Sequence, residues 1–194
     1  MAINLVKGQT IDLRKNAQGE SFDLSTVTVG LGWDVKGGGG DAYDLDASAL
    51  MLSSSGKLSG ISDVVYFGNL KHTTGNVWSN GDNLTGAGDG DDEQLVVKLD
   101  AMGSQFDKIV FTVNIYQGRS RGQHFGMVQN AFIRAVDKNG KEIIKYSLSG
   151  DGTYNNMCSV IFGEVYRREG SWKFRALGEA LPVDSLNDII KNYQ

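Results

Sequence analysis

A strict alternation of side chains over residues 108–116 constrains the fold of this chain more than any other feature. Every second position there is apolar, at Ile109, Phe111, Val113 and Ile115. Successive side chains of a β-strand point to opposite faces, so a period of two predicts a strand with one apolar face. We therefore expect a β-strand here, with this row of side chains facing a core.

The same alternation recurs along the chain. It predicts further strands at residues 27–33, 64–67, 95–99 and 131–136. Two hairpins are also expected, one turning at Asp137–Gly140 into residues 142–148, and one turning at Glu169–Gly170 between residues 159–166 and 172–177. Many short strands, glycine-rich turns and a single proline favour an antiparallel β-sandwich over an α/β fold. The four glycines of residues 37–40 are expected to form a flexible loop.

Only the C-terminus shows a clear helical pattern. Ser185 and Asp188 resemble a capping box that follows Pro182. Apolar residues then recur at helical spacing, at Leu186, Ile189, Ile190 and Tyr193. We therefore expect an all-β, antiparallel β-sandwich with a short C-terminal helix, formed as a single domain over residues 1–194.

Composition and charge argue against several classes of protein. The chain has 194 residues, of which 40% are hydrophobic, and a net charge of -4. It has neither an apolar run of about 18 residues, as a membrane span requires, nor a secretory leader. Nucleic-acid binding depends on Lys and Arg, which a mildly acidic chain does not favour. We expect a cytoplasmic protein that neither binds nucleic acid nor inserts into a membrane.

Cys158 is the single cysteine, so no disulfide can form within the chain. This suits a reducing compartment. We interpret Cys158 as a small core side chain. The alternative, a catalytic nucleophile, needs a nearby base, and His72 and His124 are the only histidines.

A glycine-flanked basic segment, residues 118–124, contains Arg119 and Arg121. The simpler interpretation is a solvated hairpin loop. The alternative is a contact with an anion, because two guanidinium groups could pair with a carboxylate or a phosphate.

An acidic, glycine-rich loop between Gly81 and Glu93 is the most distinctive chemical feature of the chain. Its carboxylates belong to Asp82, Asp89, Asp91, Asp92 and Glu93. Two carboxylates about 4 Å apart repel by roughly 4 kcal/mol at an effective dielectric constant of about 20, so their convergence requires a counter-ion or protonation. No Lys or Arg lies between Lys71 and Lys98. The loop therefore predicts a divalent cation site, and the alternative is a solvated acidic loop.

The ligand atoms available in this loop are all oxygens. Besides the carboxylates they include the Asn83 amide, the Thr85 hydroxyl and backbone carbonyls at glycines. Such a set favours Ca²⁺, which accepts six to eight irregularly placed oxygens, over Mg²⁺, which requires an octahedron. The spacing does not fit an EF-hand loop.

A second acidic stretch lies upstream, at Asp44 and Asp46. With period-two alternation, these two side chains and Ser48 share one face of a strand, while Leu45 and Ala47 share the other. Two aspartates on one face of a buried strand require a partner, so this stretch is a further candidate for metal binding.

The acidic stretches also carry a resemblance to a known family. Residues 30–34 (Gly-Leu-Gly-Trp-Asp), 44–48 (Asp-Leu-Asp-Ala-Ser) and 81–93 resemble the ordered motifs of the TerD family of tellurium-resistance and stress proteins. Residues 130–134 and 172–178 resemble later segments of the same family.

This resemblance implies a β-sandwich that binds calcium in its acidic loops. The ligand candidates that it implies are Asp44, Asp46, Asp82, Asn83, Thr85, Asp89, Asp91, Asp92 and Glu93. Asp34 is a further candidate beside them. Two neighbouring Ca²⁺ ions fit the number of carboxylates better than one. The partners implied are other tellurium-resistance proteins, with a membrane-embedded one among the candidates.

Two other functions are open to residues of this sequence. The carboxylates could hold metal in a phosphoesterase that activates water. However, the sequence contains neither a phosphate-binding Gly-x-x-x-x-Gly-Lys-Ser/Thr loop nor a Gly-x-Ser-x-Gly elbow, and we expect no enzyme. Alternatively, Arg119 and Arg121 could serve a sensor of a nucleotide or another small anion.

Overall fold

The computed structural model describes residues 3–4, 8–13, 19, 21–34, 42–81, 90–148 and 152–194. The glycine loop predicted at residues 37–40 lies outside these ranges.

Within these ranges the chain forms twelve β-strands. They are β1 (Ile3–Asn4), β2 (Thr10–Asp12), β3 (Val27–Asp34), β4 (Leu45–Leu52), β5 (Val64–Val65), β6 (Val77–Ser79), β7 (Glu93–Val97), β8 (Lys108–Ile115), β9 (Gln129–Val136), β10 (Glu142–Ser147), β11 (Ser159–Arg168) and β12 (Ser171–Leu181). Short 3-10 turns occur at Ile61–Asp63, Phe125–Met127, Gly152–Tyr154 and Lys191–Tyr193, and one α-helix, α1, spans Leu186–Ile190.

The strands form two six-stranded sheets. Sheet A has the order β1-β10-β9-β3-β7-β6, and sheet B has the order β2-β12-β11-β8-β4-β5. All pairs are antiparallel except β1 with β10, which is parallel. The sheets pack face to face around one apolar cluster to which both contribute. The predicted antiparallel sandwich with a short C-terminal helix is confirmed.

The alternating row on β8 lies in the core, as its pattern predicts. Ile109, Phe111, Val113 and Ile115 are each at most 1% exposed and belong to the cluster between the sheets. Burying an aliphatic or aromatic side chain of this size contributes about 1.5–3 kcal/mol, so this row makes a large contribution to the sandwich.

The structure corrects two predicted strand ends. β7 ends at Val97, before the predicted limit of residue 99. β5 ends at Val65, and Phe67 is not in a strand but in a tight turn between Tyr66 and Asn69, where half of its surface is exposed. The other predicted strands are present, with ends that differ by a few residues.

Helix α1 covers the outer face of sheet B. Ile189 and Ile190 pack there in a second apolar cluster with Leu50, Val110 and other residues of the sheet. The predicted capping box is wrong, because Ser185 is the N-cap residue but its side chain makes no capping hydrogen bond. No helix in the described part of the chain is both long and apolar enough to span a membrane.

Truncation of Ile189 tests the contribution of α1 to stability. Ile189 is fully buried, so Ile189→Ala should lower the free energy of unfolding by about 2–5 kcal/mol in a urea titration. Asn187→Ala, at an exposed position of the same helix, should change it by less than about 0.5 kcal/mol. Equal effects of the two substitutions would show that the helix is not part of the cooperative core.

Candidate functional site

Residues 90–92, the C-terminal end of the acidic loop, cross the outer face of β3. Gly30 and Gly32 lie on the outward face there, because Val29 and Leu31, which alternate with them, face the core. A Cβ atom on Gly30 would overlap the Asp91 carboxylate, and one on Gly32 would overlap the carbonyl oxygen of Gly90. Because neither glycine has a side chain, this end of the loop can lie directly on the backbone of β3.

Asp91 is held on that surface by its neighbours in sheet A. Its carboxylate accepts a hydrogen bond from Arg134 Nε at 2.7 Å and another from Gln94 Nε2 at 3.3 Å. The Asp91 side chain is 4% exposed, and its hydrogen bond raises the pKa of Arg134. Thus β9 supplies a cation that the acidic segment itself lacks.

Asp92 is bonded to the backbone of β3. Its N–H donates to the Leu31 carbonyl at 2.8 Å, and its carboxylate accepts from the Trp33 N–H at 2.9 Å. Partial burial raises the pKa of Asp92, and the negative charges of Asp91 and Asp34 raise it further. The surroundings of Asp92 therefore disfavour the ionised form of its carboxylate.

Asp34, at the end of β3, lies within electrostatic range of Asp92. Its side chain is exposed and accepts a hydrogen bond from Asn130 Nδ2 at 2.6 Å. The structure thus brings Asp34, Asp91 and Asp92 into one region at the end of the loop.

Glu93 has a different environment. It is 6% exposed, and its carboxylate accepts a hydrogen bond from the Ala47 N–H of β4 at 2.7 Å. Since β7 belongs to sheet A and β4 to sheet B, this bond connects the two sheets. The contact gives Glu93 a structural role between the sheets.

The upstream aspartates lie on sheet B. Leu45 and Ala47 face the core, as predicted, and Asp46 points to the outer face of the sheet. The Asp46 carboxylate accepts a hydrogen bond from Asn114 Nδ2 at 3.1 Å. Asp44 is half-buried, and its carbonyl accepts from the Tyr116 N–H at 2.8 Å. Asp46 and Asp91 therefore lie on opposite outer faces of the sandwich.

The predicted metal ligands are only partly within the described residues. Asp82, Asn83, Thr85 and Asp89 lie outside them. Among the described residues, no group of three or more His, Cys, Asp or Glu side chains is arranged to hold a metal ion. The described end of the loop does line a shallow cavity of about 340 Å³, together with Asn80 and Gly81. The metal ligand set stays a prediction.

Cys158 is buried, with 3% of its surface exposed, as expected of a core side chain. Its thiol donates to the Gln123 carbonyl at 3.3 Å, and burial raises its pKa. Both features disfavour the thiolate that nucleophilic chemistry requires.

The basic segment at residues 118–124 folds back on the chain. The Arg119 N–H donates to the Asp184 carboxylate at 3.0 Å, and the Arg121 guanidinium lies over the Tyr116 ring, 5.4 Å from its centroid. Arg121 is thus engaged with an aromatic face, and the anion contact stays a prediction.

Sequence reasoning missed the partners of the acidic residues. Arg134, Asn130 and Asn114 hold Asp91, Asp34 and Asp46, respectively. The one available signal was their outward position in strands, but the sequence does not say which strands are neighbours in a sheet.

Known proteins resemble the chain over its whole length. The family described as the TerD domain matches residues 1–193. The tellurium resistance protein TerX of Serratia marcescens is 42% identical, and the stress response protein SCP2 of Bacillus subtilis is 48% identical, each over the full length of both chains. A solved structure of a homologue of the telluride resistance protein TerD from Streptomyces coelicolor superposes with a TM-score of 0.70 at 20% identity, covering 88% of this chain and 98% of the other. At that identity the superposition shows the fold alone.

Substitution of Gly30 tests the close approach of Asp91. Alanine in place of a strand glycine would normally stabilise by about 0.5–1 kcal/mol, but here its methyl group displaces a buried carboxylate. We expect Gly30→Ala to lower the free energy of unfolding by about 1–3 kcal/mol in urea titrations.

Two further variants control this experiment. Gly60→Ala should be harmless, because its Cβ would meet only the Ser62 hydroxyl at 3.8 Å. In an Asp91→Ala background, Gly30→Ala should no longer destabilise the protein. If Gly30→Ala is as harmless as Gly60→Ala in the unmodified chain, Asp91 does not occupy this surface.

Proposed function

Since the chain belongs to the TerD domain family, we propose that it is a calcium-binding protein of tellurium resistance and the stress response. The observation that carries the calcium proposal is the closeness of the Asp34 and Asp92 carboxylates at the end of the acidic loop, with Asp91 beside them. Burial and the two neighbouring charges raise the pKa of Asp92, so a cation at this position would relieve an unfavourable charge.

The donor chemistry fits calcium. Asp34 and Asp92 would supply oxygens from the described residues, and the loop would add Asp82, Asn83, Thr85 and Asp89. Backbone carbonyls and water would complete the coordination of two ions. Asp91 is already paired with Arg134, and Glu93 is bonded to Ala47, so both would support such a site by holding the end of the loop. Bound Ca²⁺ would supply positive charge and order the loop.

We further propose that the protein acts through partners in the cytoplasm and not by catalysis. The partners would be other tellurium-resistance proteins, with a membrane-embedded one among them. The relatives named for tellurium resistance and for the stress response support this assignment of the process.

A calcium titration of the metal-stripped protein tests the proposal. Calorimetry should show about two Ca²⁺ ions bound per chain, with little competition from magnesium. When the free calcium concentration is a hundred times the Kd of a site, binding at that site should raise the free energy of unfolding by roughly 2.7 kcal/mol. Thermal melts would detect this change. If calcium produces no binding heat and no stabilisation, the loop is solvated surface and not a calcium site.

Asp92→Asn should have opposite effects on stability without and with calcium. The folded chain binds the Asp92 proton more tightly than the unfolded chain, so the ionised carboxylate costs stability at neutral pH, and this cost disappears as the pH falls through the folded pKa. In a chelator at pH 7 the variant, which keeps an acceptor for the Trp33 N–H, should therefore melt higher than the unmodified protein.

In excess calcium the order should reverse, because an amide is a weaker calcium ligand than a carboxylate. Asp100→Asn, at an exposed position outside the loop, should leave both melting temperatures unchanged. If Asp92→Asn melts in the same order relative to the unmodified protein in both conditions, Asp92 does not bind the ion.

A further inference from the structure

A pocket of about 380 Å³ lies on the outer face of sheet B, on the opposite side of the sandwich from Asp91. Asp46 and Asn114 lie in its floor, and residues of the segment preceding α1, including Asp184, form one wall. Phe67 and Tyr116 also line it. The residues proposed above to bind calcium do not line this pocket, although Asp46 was predicted from the sequence as a further calcium ligand.

The floor of the pocket presents hydrogen-bond acceptors. Asp46 and Asn114 are 5% and 4% exposed, and the Asn114 amide nitrogen donates to the Asp46 carboxylate. The Asn114 carbonyl oxygen is buried and accepts no hydrogen bond from any residue that the structure describes. Buried polar atoms are normally satisfied, so this oxygen requires a donor that the described residues do not supply, either a water molecule or a ligand.

The rim of the pocket is aromatic. Phe67 and Tyr116 are 50% and 38% exposed, and their rings meet edge to face at 6.4 Å between centroids. Tyr66 packs against Phe67 in the same way at 5.3 Å. Exposed aromatic rings beside buried carboxylates favour an organic cation, because the rings can pack against its apolar part while the carboxylates meet its charge.

The charges that line the pocket agree with a cationic ligand. Its ionisable lining residues include Asp46 and Asp184 but neither Lys nor Arg. Two basic residues contact the lining from outside: the Arg121 guanidinium lies over one face of the Tyr116 ring, and Arg119 meets Asp184 through its backbone N–H. A divalent metal would need six or more oxygens and would not use the aromatic rim, whereas an anion would be repelled by the Asp46 and Asp184 carboxylates.

We propose that this pocket binds a primary ammonium group on an alkyl chain. Asp46 neutralises the ammonium, Asn114 Oδ1 accepts one of its N–H groups, and Phe67 and Tyr116 contact the alkyl chain. The ammonium group could belong to a free alkyl amine or to a lysine side chain, and both present the same chemistry to the floor.

Heteronuclear NMR on isotope-labelled protein tests the proposal, with the side-chain amide of Asn114 as the reporter. Cadaverine and a lysine derivative blocked at both backbone ends represent the two sources, and n-pentanol is the neutral control, all at constant ionic strength. We expect saturable shifts of the Asn114 amide with at least one amine and none with pentanol. The stronger binder of the two amines identifies the source. Equal shifts with the neutral alcohol would overturn the proposal.

Variants assign the contacts. Asp46→Asn keeps the bond to Asn114 but removes the charge, and should weaken amine binding about tenfold or more. Phe67→Ala should weaken it about threefold. Asp184→Asn tests the charge of the wall at a position that tolerates substitution if Asp46→Asn fails to fold. Asp188→Asn, a carboxylate outside the pocket, is the matched control and should have no effect.

Calcium separates this site from the acidic loop. Amine binding should be the same in a chelator and in saturating calcium, whether or not the loop binds the ion. Displacement of the amine by calcium would assign Asp46 to a metal site and overturn the proposal. Unchanged amine binding in all pocket variants would also overturn it.

Discussion

The bare outer surface of β3 is the constraint on which the rest of the candidate site depends. With hydrogen at Gly30 and Gly32, residues 90–92 can lie directly on the strand, where Asp92 reaches its backbone. A side chain at Gly32 would displace the Gly90 backbone, and one at Gly30 would displace the Asp91 carboxylate. The positions of Asp91 and Asp92, and the bond of Glu93 to the opposite sheet, all follow from this close contact.

Much of the fold was predictable because strand periodicity is local. The row from Ile109 to Ile115 identifies its own core face without reference to other strands, and the outward position of Asp46 follows from the same rule. The contact between Arg134 and Asp91 was not predictable, because it requires β3 to lie between β7 and β9, and such non-local pairing leaves no periodic signal. The predicted end of β5 was wrong because Phe67 has strand propensity but lies in a turn.

Three consecutive acidic residues have three different environments. Asp91 is neutralised by an arginine of the neighbouring strand, Asp92 bonds to backbone and is opposed by nearby charge, and Glu93 is buried between the sheets. A count of carboxylates therefore overstates the negative charge available to a cation. Asp91 and Glu93 position the loop, whereas Asp92 is the residue whose ionised form a cation would stabilise.

The hydrogen bond between Glu93 and Ala47 has a consequence for self-association. β4 pairs with β5 only at Ala49 and Leu50, so β5 does not bond the Ala47 N–H. Open strand margins recruit strands of other molecules. The Glu93 carboxylate occupies the Ala47 N–H, so this donor is not available to a carbonyl of a strand from another molecule.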